Sequence, residues 1–182
     1  MKKTVGIILG SLRKDSFSKR TAKEVVKLFP EGFETIWLKL GDLPIYNQDY
    51  DDNPPMEWTA FREEVKSADS ILFVTPEYNR SIPPVLKNAL DIASRPYGKN
   101  VWDGKPGAVI CISPGKIGGF GVGQVLRQTT AFLNIPMLSR PEMYLGNITE
   151  LLDKSGGIFD TDTQKFLRDF VDAYVEWVEK FV

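Results

Sequence analysis

The feature that most constrains this chain is a rhythm, in which short and nearly continuous apolar runs alternate with longer segments of helical period. A strand covered on both faces reads as an unbroken apolar run, and a chain with several such runs asks for a parallel sheet with helices on each side. Five runs predict five strands, at 4–9 (TVGIIL), 33–40 (FETIWLKL), 70–75 (SILFVT), 107–113 (GAVICIS) and 135–138 (IPML). The second alternates, with Phe33, Thr35, Trp37 and Lys39 on one side, and belongs at an edge. Between the strands, Ala22, Val25, Val26 and Phe29 recur at helical spacing, as do Leu86, Ala89, Leu90 and Ala93; both series predict amphipathic helices. A closing helix is expected where Phe166, Leu167, Phe170, Val171, Tyr174, Val178 and Phe181 form one stripe. The polar stretch 46–55 (YNQDYDDNPP) reads as a loop, a rim over a site or a solvated connection. At 182 residues, 42% of them hydrophobic, the chain suits one domain with a sizeable core.

Composition removes whole classes of chemistry. Basic residues number 23 and acidic ones 24, so no global field favours nucleic acid or an anionic membrane, and any anion has to be held locally. There is no histidine, which excludes the Ser-His-Asp arrangement and every histidine metal site. The single Cys111 excludes an internal disulfide or a four-cysteine cluster, and its place inside an apolar run reads as packing. The start MKKTVGIILGSLRK imitates a secretory leader, but Gly6 and Gly10 interrupt it and charge resumes at Arg13. A soluble protein of a reducing compartment such as the cytoplasm is expected.

In sheets of this kind the first and third strands lie side by side, and ligands bind beyond their carboxyl ends. That directs attention to the loops 10–17 and 76–82. The first belongs to GSLRKDSFSKR, which gathers hydroxyls at Ser11, Ser16 and Ser18 and a bidentate donor at Arg13 behind Gly10. Ser16 is placed to cap the next helix, whose open N–H groups then face the loop, and the set suits a phosphate monoester. The plainer alternative makes Ser16 a cap only and the cations a solvated patch. Neither phosphate-loop motif fits, because Asp15 and Leu12 stand where G-x-x-x-x-G-K-[ST] and G-x-G-x-x-G need glycine. No cysteine nucleophile is present either, so the loop holds phosphate without attacking it.

The second loop opens TPEYNRSIPPVLKNALD (75–91), where Pro76, Pro83 and Pro84 stiffen the backbone and Tyr78 offers a ring. Such a loop beside a phosphate site suits a planar heterocycle. Taken with GSLRKDSFS and SPGKIGG (113–119), in this order and spacing, the chain resembles the NADPH-dependent FMN reductase family, flavodoxin-like flavoproteins that include quinone, chromate and azo-dye reductases. The resemblance implies a doubly wound five-stranded parallel sheet of order 2-1-3-4-5. It also implies bound FMN, with Ser11, Arg13, Ser16, Phe17 and Ser18 at the phosphate. Pro76, Glu77, Tyr78, Asn79, Ser113, Gly115, Lys116, Gly118 and Gly119 would line the ring. Two positions depart from the family pattern: Ser18 stands where Asn is frequent, and Ile92 follows Asp91 where Trp is frequent.

The resemblance further implies NADPH or NADH as electron donor and a small-molecule acceptor such as a quinone, an azo compound or chromate. Donor and acceptor would use one ring face in turn, in ping-pong order, and the protein would be a homo-oligomer, a dimer or tetramer. Lack of histidine agrees with chemistry carried by a cofactor. The alternative is a flavodoxin-like electron carrier, which the near-neutral charge and the cations Arg80, Lys87 and Lys116 disfavour. Several residues admit two readings: Glu77 as acid or as backbone contributor, Trp102 as ring shield or loop anchor, Arg127 with Glu142 across an interface or within the chain. Trp37, Trp58 and Trp177 are expected in the core, and Lys116 and Arg80 are candidates for a nucleotide's phosphates.

Overall fold

The computed structural model describes residues 2–152, 157 and 160–182. Five parallel strands form one sheet in the order β2-β1-β3-β4-β5, the arrangement expected above. They are β1 (Lys3–Leu9), β2 (Phe33–Leu38), β3 (Ser70–Pro76), β4 (Gly107–Ile112) and β5 (Met143–Leu145). Every residue of β4 and all but the last of β3 are buried, which is why these segments read as unbroken apolar runs. The first four strands lie where the sequence places them. The fifth does not: 135–138 makes a single bridge, Gly107 with Met137, and the edge strand is Met143–Leu145.

The physical reason is close packing at Gly107. A Cβ there would stand 2.8 Å from Met137 Sδ and 2.9 Å from Ile135 Cγ2. The Gly107 N–H donates to Pro136 O (3.0 Å) and its carbonyl accepts from Leu138 N–H (2.7 Å), so 135–138 is apolar because it plugs against the start of β4.

Helices cover both faces. On one, α1 (Phe17–Val26) and α6 (Thr161–Val178) bury Val25, Leu167, Phe170, Val171 and Tyr174 against Val5, Ile7, Leu72, Val74 and Ile110. On the other, α2 (Met56–Ser67), α3 (Pro84–Ala93) and α4 (Phe120–Phe132) pack on Ile8, Ile71, Phe73, Val109 and Cys111. A short α5 (Ile148–Leu151) follows β5. Phe166 and Phe181, at the margins of the closing stripe, stay partly exposed.

Trp58 and the fully buried Trp102 belong to the core, whereas Trp37 is 38% exposed on the edge strand, contrary to expectation. The Trp102 Nε1–H donates to Leu90 O at 3.0 Å, so this ring anchors its own loop. In the 46–55 segment Tyr46 stacks on Trp58 (5.4 Å) and Tyr50 meets it edge-on (6.1 Å), which holds this otherwise exposed loop against α2. No helix among the described residues is long and apolar enough to cross a membrane.

Candidate functional site

β1 and β3 end side by side, and the backbone passes between them at Gly10 with no room to spare. A Cβ on Gly10 would lie 2.0 Å from Thr75 Oγ1 and 2.7 Å from Thr75 Cβ, so the glycine is required here by close approach. The Gly10 N–H donates to Val74 O at 3.0 Å, which fixes the loop's exit against β3.

From there the chain enters α1. Ser16 has extended backbone, its Oγ accepts from Lys19 N–H (3.4 Å) and its carbonyl accepts from Arg20 N–H (3.1 Å). That capping leaves the N–H groups of Phe17 and Ser18 directed to the helix start, where the dipole favours an anion. Ser18 is 1% exposed, and its Oγ has no hydrogen-bond partner; the same is true of Thr21 Oγ1 one turn on. Buried hydroxyls are ordinarily bonded, so an orphan at a helix N-terminus points to an absent acceptor. Ser11 Oγ accepts from Arg13 N–H (3.3 Å), and the Arg13 guanidinium lies 5.9 Å from the centre of the Phe17 ring.

The loop after β3 is held differently. Tyr78 N–H donates to Ser81 O (3.1 Å) and Ser81 N–H to Tyr78 O (2.9 Å), closing a tight turn. Its central residues, Asn79 (φ 49°) and Arg80 (φ 63°), are both left-handed. Asn tolerates that region and Arg does so at a cost of about 1 kcal/mol, so the turn stores strain next to the cleft-lining Tyr78. Glu77 ties this loop to α4: Oε2 accepts from Val122 N–H (2.9 Å) and Oε1 pairs with Arg80 (3.2 Å). Because Gly119, the N-cap of α4, offers no side chain, Glu77 supplies the missing cap from another loop. The carboxylate thus caps a helix, which neither the acid nor the backbone reading foresaw and which no local sequence pattern announces.

The loop after β4 closes the third side. Ser113 Oγ accepts from Gly115 N–H (3.1 Å), and Gly115 O accepts from Gly118 N–H (3.2 Å) and Asn147 N–H (3.3 Å). Gly118 (φ 67°) and Gly119 (φ 80°) are left-handed, and a Cβ on Gly118 would stand 2.7 Å from the backbone of Tyr144. Beneath it Cys111 is fully buried, and desolvation pushes its thiol up to about 12, so it stays protonated at neutral pH.

Ser11, Arg13, Ser16, Phe17 and Ser18 converge with Pro76, Glu77 and Tyr78 on one cleft of about 180 Å³, which Ile112 and Pro114 complete. Sequence reasoning missed these last two, although both adjoin Ser113. Asn79 and Lys116 are exposed beside the cleft, and Gly118 and Gly119 lie buried beneath its loop and shape it. A second, apolar groove of about 330 Å³ shares Ser11 and Tyr78 and runs between Leu40–Ile45 and the start of α3. Arg127 and Glu142 approach within the chain, at 3.7 Å. Among the described residues no group of acidic or cysteine side chains could hold a metal ion.

Comparison with known proteins gives this arrangement its relatives. The family model for NADPH-dependent FMN reductase matches residues 3–150. A quinone reductase of Pseudomonas putida is 46% identical over 177 residues, 97% of this chain and 95% of the relative. A 2-hydroxy-1,4-benzoquinone reductase of a Burkholderia species is 46% identical over 174 residues, covering 96% and 95%. FerB, a flavoenzyme NAD(P)H:(acceptor) oxidoreductase from Paracoccus denitrificans, superposes with a TM-score of 0.92 over 98% of each chain at 42% identity.

Proposed function

The chain belongs to the NADPH-dependent FMN reductase family, and on that premise we propose that it is an FMN-dependent NAD(P)H oxidoreductase whose acceptor is a quinone. One observation carries the site assignment: a buried, unpartnered Ser18 hydroxyl at the start of α1, in a cleft that joins the loops after β1 and β3. A phosphate ester fits there, since it is an acceptor for hydroxyl, guanidinium and helix N–H donors at once. In this reading Ser11, Arg13, Ser16, Phe17 and Ser18 hold the FMN phosphate. Pro76, Glu77, Tyr78 and Asn79 flank the ring on one side, and Ser113, Gly115, Lys116, Gly118 and Gly119 frame its other edge.

FMN, when bound, would supply the redox chemistry, taking the electron pair of NAD(P)H as hydride and returning it, with two protons of which one comes from solvent, to reduce a quinone to a hydroquinone. The protein's own residues orient and shield. Tyr78, 41% exposed, lines both the phosphate cleft and the apolar groove, so a planar substrate has access to its ring. The turn bonds of Tyr78 with Ser81 and the Glu77 cap fix the two ring-facing loops relative to each other, which is the positioning that hydride transfer needs. Glu77 is committed to Val122 and Arg80 and is not poised to move a proton. A cytoplasmic homo-oligomer is part of the proposal; the exposed Ile117 and Phe120 beside the cleft support a surface covered by another copy.

The test is direct. Purified protein titrated with FMN should bind it stoichiometrically, and the loaded protein should oxidise NADH or NADPH with a benzoquinone, giving parallel initial-rate plots. Azo-dye and chromate arms of the same assay read how far the acceptor range extends. Absence of flavin binding, or NAD(P)H oxidation only with a protein acceptor, refutes the reading.

A further inference from the structure

Taking the flavin-reductase reading as its premise, the structure also points to where the nicotinamide donor lays its other half. A cleft of about 740 Å³ opens beside the flavin-phosphate loop, between α1 and the end of β2. Arg13, Lys14, Lys19, Lys23 and Lys39 line it against a single carboxylate, Asp42. In a chain with a net charge of −1 this is a local concentration of positive charge. It is built from two elements: Lys19 and Lys23 stand one turn apart on α1, while Lys39 follows the edge strand. None of the five belongs to an ion pair among the described residues, whereas Lys27, one turn beyond Lys23, is neutralised by Glu24 at 2.8 Å.

The cleft also has a flat apolar element. Trp37 and Leu12 line it and remain 38% and 61% exposed. Phe33, two pleats from Trp37, packs with the α1–α6 core, which puts Trp37 on the α1 side of the edge strand. Cations around an exposed indole suit a purine nucleotide, with phosphates on the lysines and the base on the ring. The cleft is continuous with the flavin site. The apolar groove that includes Tyr78 shares Ser11, Leu12, Leu40 and Gly41 with it, so a path runs from Tyr78 across Gly41 to Trp37.

We propose that this cleft binds the adenosine end of NADPH, with Lys23 and Lys39 engaging its 2′-phosphate and Trp37 contacting the adenine. Neither lysine is assigned to flavin binding, so the two sites are separable by mutation. Calorimetric titration with adenosine 2′,5′-bisphosphate is the test, on protein with and without FMN. The unmodified protein should bind it, and K23Q/K39Q should weaken binding at least about 10-fold, with FMN affinity unchanged and a shallower dependence on salt. In turnover, that variant should raise KM for NADPH far more than KM for NADH.

W37L should weaken the bisphosphate without altering the salt dependence. Equal affinity in the variant and the unmodified protein, no binding to the unmodified protein, or displacement by inorganic phosphate at similar concentration would each overturn the proposal. Failure to bind FMN alongside normal bisphosphate binding would instead refute the flavin reading.

Discussion

The loops after β1 and β3 meet at one cleft, yet they are finished to opposite degrees. The β3 loop is internally complete: Tyr78 and Ser81 exchange backbone bonds, and both oxygens of Glu77 are occupied. The β1 loop is open, with the buried Ser18 hydroxyl lacking a partner at the start of α1. The contrast teaches how labour is divided. A self-satisfied, strained turn is a platform whose shape exists before any ligand arrives, whereas unsatisfied donors at a helix start are a cost that an anion removes on binding. The platform should therefore respond to mutation through stability, and the open loop through ligand affinity.

The largest effect is expected where the first residue of the β1 loop meets β3. Gly10→Ala places a methyl 2.0 Å from Thr75 Oγ1, in a position flanked by buried strands. Overpacking there should lower unfolding free energy by about 3 kcal/mol. Urea denaturation reads this, and Thr75→Ala in the same chain should recover part of the loss. Next comes Arg13→Ala, which removes the proposed charge-assisted contact with the FMN phosphate, about 1.5 to 3 kcal/mol, and should weaken FMN binding roughly 10- to 100-fold. Because the Arg13 side chain is exposed, the melting temperature of the flavin-free protein should hardly change. A large change would break the contrast, since Arg13 would then be serving the fold.

Glu77 tests the other side. Glu77→Ala removes the cap of α4 and the Arg80 pair together, and should cost about 1 to 2 kcal/mol of stability in flavin-free protein. Glu77→Gln keeps an oxygen acceptor for Val122 N–H and should retain most of that stability. If both variants left stability untouched and abolished turnover alone, Glu77 would be a catalytic group and the platform reading would fail.

How far the sequence disclosed all this follows from which interactions are local. β1, β3 and β4 were legible because strands buried on both faces must be apolar throughout, and Ser16 because capping is a contact within four residues. β5 was not, since three residues with a half-buried Tyr144 at the centre carry too little pattern, while the apolar Ile135–Leu138 stretch was used for plugging against Gly107. Trp37 read as core by residue type, but its strand lies at the sheet edge and leaves it exposed. The sparse stripe of Trp58, Phe61 and Val65 is the signal that locates α2. For α4, which starts at Phe120-Gly121 behind two glycines, stability comes from a carboxylate more than forty positions earlier, and nothing in its own residues reveals that partner.

The smallest effect is also the most discriminating, because its sign differs between two measurements. Ser18→Ala deletes a hydroxyl that is buried without a partner in the flavin-free chain. Removing a desolvated, unpaired group spares its burial penalty, so flavin-free protein should be as stable as before or more stable by up to about 1 kcal/mol. The same hydroxyl donates to the phosphate in the proposed complex, so FMN affinity should fall by a factor of about 5 to 10. Thermal melts without flavin and fluorescence titration with FMN report the two quantities separately. A loss of stability in the flavin-free variant would mean that the Ser18 hydroxyl already has a partner in the folded chain, and the difference between the loops would narrow to Arg13 and the open N–H groups of α1.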